Sequence, residues 1–170
     1  NAIMKASEDK VIWVDEKDNV LGEVTRVQAH QKGLIHRIAV VFLTNNKGEI
    51  LIQLRDDGRL DHSSAGHVDP GETYLQAAER ELKEELGVDK VKLKEIAHTQ
   101  ALGEQYKGEI RSHTFKIFSV KTEPGKINKE EVKRVYWADP KKVYEDMQKA
   151  PPDKYAGAFK VSLKTFLGLT

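Results

Sequence analysis

The stretch Gly66-His67-Val68-Asp69-Pro70-Gly71-Glu72-Thr73, continued by Tyr74-Leu75-Gln76-Ala77-Ala78-Glu79-Arg80-Glu81-Leu82-Lys83-Glu84-Glu85-Leu86-Gly87-Val88, decides the fold. It is a glycine-rich loop feeding a helix. Pro70 and Gly71 mark a turn. Thr73 is placed to cap the helix, with Gln76 completing a capping box, and Gly87 stops it. At ~100° per residue, Leu75, Ala78, Leu82 and Leu86 fall within about 80° of one another and predict a stripe facing a core. Glu81, Glu84 and Glu85 fall in the adjoining arc. Like charges at such spacings repel by ~0.2–0.5 kcal/mol per pair, and Arg80 beside Glu84 relieves this only partly. An acidic helix face usually means solvent. A divalent cation is the alternative, and hard oxygen ligands suit Mg²⁺ or Mn²⁺.

Working outward, 170 residues predict one domain with a substantial core. Its 28 basic and 27 acidic residues give a net charge of +1, which argues against a nucleic-acid polymer as partner. There is no cysteine, so disulfides, thiolate metal sites and cysteine nucleophiles are excluded. No apolar run of about 18 residues predicts a membrane span. The first residues lack a signal-like apolar core, so the expected location is the cytoplasm.

Upstream, Val11–Asp15 and Val20–Val24 read as a hairpin at about 11–24. Thr25 is placed to cap a short helix through Gln31, ended by Gly33. His36–Thr44 and Glu49–Arg55 read as strands, with Asp56–Asp61 a polar loop. Downstream, Val91–Gln100 and Ile110–Lys121 read as strands joined by a loop containing Gly103, Glu104, Tyr106 and Gly108. Val132–Ala138 is a last strand. Pro140 opens a helix to about Lys149, and Asp153 is placed to cap a final one; these C-terminal helices cover about 140–168. Hairpins mixed with helices predict an α+β fold, a mixed sheet between helices.

The pattern G-x5-E-x7-R-E-(apolar)-x-E-E-x-G-(apolar) is met at Gly66, Glu72, Arg80, Glu81, Leu82, Glu84, Glu85, Gly87 and Val88. By chance it should arise in roughly one window in 10⁹. It resembles the Nudix box. The resemblance implies an α/β/α sandwich and a loop–helix Mg²⁺ or Mn²⁺ site on Glu81, Glu84 and Glu85, to which a backbone carbonyl of Ala65 or Gly66 adds a ligand. Gly66, Glu72, Arg80 and Gly87 then support the loop–helix geometry. The implied activity is hydrolysis of a small organic diphosphate, such as a nucleoside diphosphate derivative, with Glu81, Glu85, Glu130, Glu131, Glu104 or Glu109 as candidate bases.

A looser resemblance covers most of the chain. The opening hairpin, Arg26, His30, His36-Arg37, Ser64-Ala65-Gly66-His67, Asn128–Val132 and Tyr136-Trp137 look like the isopentenyl-diphosphate isomerase branch. That branch needs a cysteine before the box glycine, and this chain has Ala65. It also uses a histidine–glutamate metal site. His30, His36 and His67 match its histidines, but Arg111 and His113 stand where its glutamates belong. Isomerisation is therefore the alternative reading, as is a non-catalytic nucleotide sensor. Arg26, Arg55, Arg59 and His67 are the expected substrate-binding residues. Tyr106, Tyr155 and Phe159 are candidates to cover the organic group, while His62, His98 and His113 read as bland. A homodimer is left open.

Overall fold

The computed structural model describes residues 9–169; the N-terminal residues without a signal-like core lie outside them. Strands β1 (Lys10–Val14) and β2 (Val20–Thr25) form an antiparallel hairpin. Helix α1 (Arg26–Lys32) follows at once. Gln28 N–H donates to Thr25 Oγ1, Thr25 N–H donates to the Gln28 side chain, and Gly33 closes the helix in the left-handed region. The sequence predicted the Thr25 cap and the Gly33 stop; the reciprocal bond to the Gln28 side chain completes a capping box it did not predict.

The sheet is organised around β3 (Ile35–Thr44). It pairs in parallel with β8 (Glu109–Lys121) along its whole length, and antiparallel with β6 (Ser64–His67). Strand β4 (Ile50–Arg55) pairs with the two-residue β5 (Leu60–Asp61) and with β9 (Val132–Ala138). Strand β7 (Lys94–Tyr106) forms a long hairpin with β8. Parallel and antiparallel pairs thus share one mixed sheet.

Alternation along β3 splits the core in two. Ala39, Val41 and Leu43 pack toward helix α2 (Tyr74–Leu86), with Ala77, Ala78, Leu82 and Leu86. Ile38, Val40 and Phe42 pack toward helices α3 (Pro140–Lys149) and α4 (Gly157–Phe166), with Val143, Met147, Phe159 and Leu163. The result is an α/β/α sandwich. No helix among the described residues is long and apolar enough to cross a membrane.

Four expectations are corrected. Leu75 is 43% exposed, because Tyr74 and Ala77 take the buried positions of that turn. The loop expected around Gly103 is strand: β7 runs on to Tyr106, and a register shift between Ala101 and Glu104 absorbs Gly103 in its left-handed conformation. Asp153 does not cap the last helix. That helix starts at Gly157, whose N–H donates to the Glu104 carboxylate at 3.0 Å, so its cap comes from β7. Finally, Tyr106, Tyr155 and Phe159 are all buried, so none of them offers an open ring to a ligand.

Candidate functional site

The loop–helix stretch is stitched by one arginine. Arg80 Nε and Nη2 donate to the two Glu72 oxygens at 2.8 and 2.9 Å. Its Nη2 also reaches the His67 carbonyl at 3.0 Å, and its Nη1 reaches Glu81 at 2.6 Å. Glu72 in turn accepts from Asp69 N–H at 2.8 Å. Bidentate charge-assisted bonds of this kind fix orientation as well as adding energy, so Arg80 sets the angle between loop and helix. Gly87 caps α2 with φ 64° and lies against the backbone of Lys126.

Strand β6 presents its unpaired edge to α2. Ala65 N–H donates to Glu85 Oε1 at 3.3 Å, and Gln53 donates to the same oxygen at 3.2 Å. In an antiparallel strand the N–H and C=O of one residue point to the same side, so the Ala65 carbonyl faces that edge too. A Cβ on Gly66 would overlap the Glu81 carboxylate; the glycine exists to let that side chain in.

The three box glutamates do not share one environment. Glu85 is only 9% exposed. Burial, reinforced by the neighbouring Glu81, pushes its carboxyl up to about 8. Burial pushes Glu81 up to about 7 against the pull of Arg80. Glu84 is half exposed and lies 3.6 Å from Arg80. Half-buried Glu81 and buried Glu85, repelling each other from adjacent turns with a carbonyl edge opposite, fit a hard divalent cation. Glu131 lines the same cavity, and burial with the nearby Glu84 raises its pKa.

The cavity encloses about 350 Å³. Besides these acids it is lined by Arg26, Arg55, Arg59 and Arg111. Arg55 is held by Asp61 at 3.0 Å and Asp57 at 3.3 Å. Arg59 is almost wholly buried, paired with Asp57 and Glu104 and lying 3.7 Å over the Tyr106 ring. Arg26 is a third exposed and pairs loosely with Asp9 at 3.8 Å, and its Nε is buried without a partner. Arg55, Arg59 and Arg111 are thus paired with carboxylates, which leaves Arg26 the least compensated of the four cations.

One grouping was only partly legible in the sequence, which matched His30, His36 and His67 to the histidines of the isomerase-like branch and left out His113. His30, His36, His67 and His113 converge so that one nitrogen from each lies within 4.8 Å of the others. Among the described residues this is the tightest set of potential metal donors; the box glutamates are not drawn so close. His113 thus belongs to a cluster, contrary to its bland reading. Its position is fixed by the parallel register that sets His36 beside His113. Of the other two, His62 is buried against Asp61 at 2.7 Å, and His98 lies 3.2 Å from Asp18.

Residues 34–158 match the NUDIX domain family. An uncharacterized Nudix hydrolase of Yersinia pestis is 32% identical over 146 residues, covering 82% of this chain and 78% of that protein. Another from Pseudomonas aeruginosa is 38% identical over 91 residues, covering 50% and 54%. An isopentenyl-diphosphate Delta-isomerase 2 of Aromatoleum aromaticum is 36% identical over 88 residues, covering 48% and 47%. The matched stretch spans about half the length of these last two proteins. In fold, the crystal structure of the Deinococcus radiodurans protein DR0079 superposes with a TM-score of 0.72 at 22% identity, covering 92% of this chain and 98% of that one.

Proposed function

Because the chain belongs to the NUDIX domain family, we propose that it is a hydrolase that splits the diphosphate linkage of a small organic diphosphate, such as a nucleoside diphosphate derivative, with Mg²⁺ or Mn²⁺. The observation that carries this reading is the adjacent pair of half-buried Glu81 and buried Glu85, with carboxyls pushed up to about 7 and 8. Two acids kept from water at such cost make physical sense if a cation joins them.

Glu81, Glu84, Glu85 and the Ala65 carbonyl would hold the ion. Bound there, Mg²⁺ or Mn²⁺ neutralises phosphate oxygens and lowers the pKa of a water. Arg26, Arg55 and Arg59, with His67 at the cavity wall, orient the diphosphate. Water attacks one phosphorus, the bond from that phosphorus to the bridging oxygen breaks, and the other phosphate leaves with that oxygen. Glu131, with a raised pKa beside the acids, takes the water's proton. Phosphoryl transfer asks mainly for positioning and charge stabilisation, so the chain needs no nucleophilic side chain. Ala65 in place of a thiol, and Arg111 and His113 in place of carboxylates, weigh against isomerisation.

A panel of nucleotide sugars, dinucleotides, nucleoside triphosphates and prenyl diphosphates tests the reading. Cleavage of at least one member is expected with Mg²⁺ or Mn²⁺ and none with chelator. Double-bond migration in a prenyl diphosphate without cleavage, or no turnover of any member, would overturn it. Gly66→Ala offers a sharper check. The added methyl meets the Glu81 side chain rather than backbone, so the cost falls on the Arg80–Glu81 contact and the variant should still fold. Turnover should fall about 100-fold, the cost that a misplacement of ~1 Å can carry.

A further inference from the structure

We propose that Glu104 is a positioning residue for the diphosphate: it holds the Arg59 guanidinium at the cavity wall and is not the base that takes the water's proton. That Arg59 meets a diphosphate rests on the hydrolase reading; the hold of Glu104 on Arg59 does not.

The device begins in β7. Between Ala101 and Glu104 the register against β8 shifts, Gly103 turns left-handed with φ 73°, and its N–H donates to Ser112 Oγ at 2.9 Å. A bulge of this kind re-aims the side chains beside it. Beyond it, Glu104 and Tyr106 stand two residues apart in one strand and so share a face. Tyr106 supplies the ring under Arg59, 3.7 Å from the guanidinium carbon. Glu104 supplies the carboxylate beside it, 3.7 Å from Nη1.

Arg59 also ends an alternating row of charges. Asp61 lies 3.0 Å from Arg55, Arg55 lies 3.3 Å from Asp57, and Asp57 lies 3.2 Å from Arg59. Asp57 is thus shared by two arginines, and it accepts from Arg59 at Nε and Nη2. The Nη1 corner is left to Glu104. At 3.7 Å the contact is an ion pair rather than a hydrogen bond. The Arg59 side chain is only 4% exposed, so the pair is weakly screened.

Glu104 serves α4 as well. Its Oε1 accepts from Gly157 N–H at 3.0 Å, and a Cβ at Gly157 would overlap the carboxylate. The cap alone does not call for a charge, because neutral side-chain oxygens cap helices as well. The Arg59 side does. With Gly157 and Arg59 as its polar partners, Glu104 stands with the arginines and the helix rather than with the box acids.

The test compares Glu104→Gln with wild type in the full chain. The amide keeps an oxygen for Gly157 N–H, so α4 keeps its cap, while the charge beside Arg59 is gone. On any member of the panel that is cleaved, KM should rise about 10-fold with kcat within about twofold, the mark of lost uniform binding. A kcat that falls with KM unchanged would make Glu104 the base, and unchanged kinetics would make it a helix cap only; either overturns the proposal. A second readout needs no turnover. The Arg59 Nε–H proton resonance, shifted by the Tyr106 ring, should move in Glu104→Gln. An unmoved resonance overturns the proposal even in an active enzyme. A resonance that moves in a chain that cleaves nothing upholds the hold on Arg59 and strikes only the hydrolase reading. Glu104→Asp withdraws the charge by one carbon and should give the same two changes if the amide variant does not fold.

Discussion

Glu85→Gln is expected to cut turnover about 10²–10³-fold and, at pH 9, to raise the melting temperature of the metal-free protein by at least about 4 °C. The two effects have one cause. Glu85 is buried, and its carboxyl is pushed up to about 8. At pH 9 it is ionised, poorly solvated and close to Glu81. The amide keeps an oxygen to accept from Gln53 and Ala65 N–H and removes the charge. Relief of a group whose pKa is raised this far is worth on the order of a few kcal/mol, and each kcal/mol shifts the melting temperature by ~2–4 °C at this size. In the proposed mechanism turnover falls because losing Glu85 as a metal ligand would remove several kcal/mol of transition-state stabilisation. Thermal melts with chelator beside initial rates with Mg²⁺ check both halves. A variant that loses activity and stability together would mean that Glu85 is a structural residue.

Stability of the metal-free protein against pH should pass through a maximum near pH 6.5. The acids and the histidines pull in opposite directions. Glu81 and Glu85 have folded pKa values raised to about 7 and 8 from the ordinary 4.5. The folded state therefore holds protons that the unfolded state has lost, and stability falls as pH rises from about 4.5 through 8. The four histidines have folded values lowered from 6.5, to about 4 for His30 and His36. There the unfolded state takes up protons that the folded state refuses, so stability falls as pH drops below 6.5. Below 6.5 four histidines outweigh two acids; above it the acids act alone. Saturating Mg²⁺ should flatten the alkaline limb, because the ion pairs the carboxylates. Denaturant melts from pH 5 to 9, with and without Mg²⁺, give the profile. An alkaline limb that Mg²⁺ leaves unchanged would contradict the assignment.

Local chemistry made much of this legible in the sequence. The Thr73–Gln76 capping box, the Thr25 cap, the glycine stops and the proline-led α3 rest on neighbours in the chain, and the structure has all of them. Long-range partners hid the rest. Glu85 lies on the buried side of α2, where an acid does not read as core, and Leu75 took its place in the expected stripe. The α4 cap comes from Glu104, more than fifty residues upstream. The four-histidine nest depends on β3 running parallel to β8 in one register, and no local pattern encodes that. The sequence matched His30, His36 and His67 to the histidines of the isomerase-like branch, but left out His113, which stands where that branch would place a carboxylate ligand.

Anomalous diffraction from crystals soaked in Mn²⁺ tests the central claim most directly. A strong peak between the carboxylates of Glu81 and Glu85, within bonding distance of both and lost in Glu85→Gln, is the predicted result. Saturating Mn²⁺ with no peak there would contradict it.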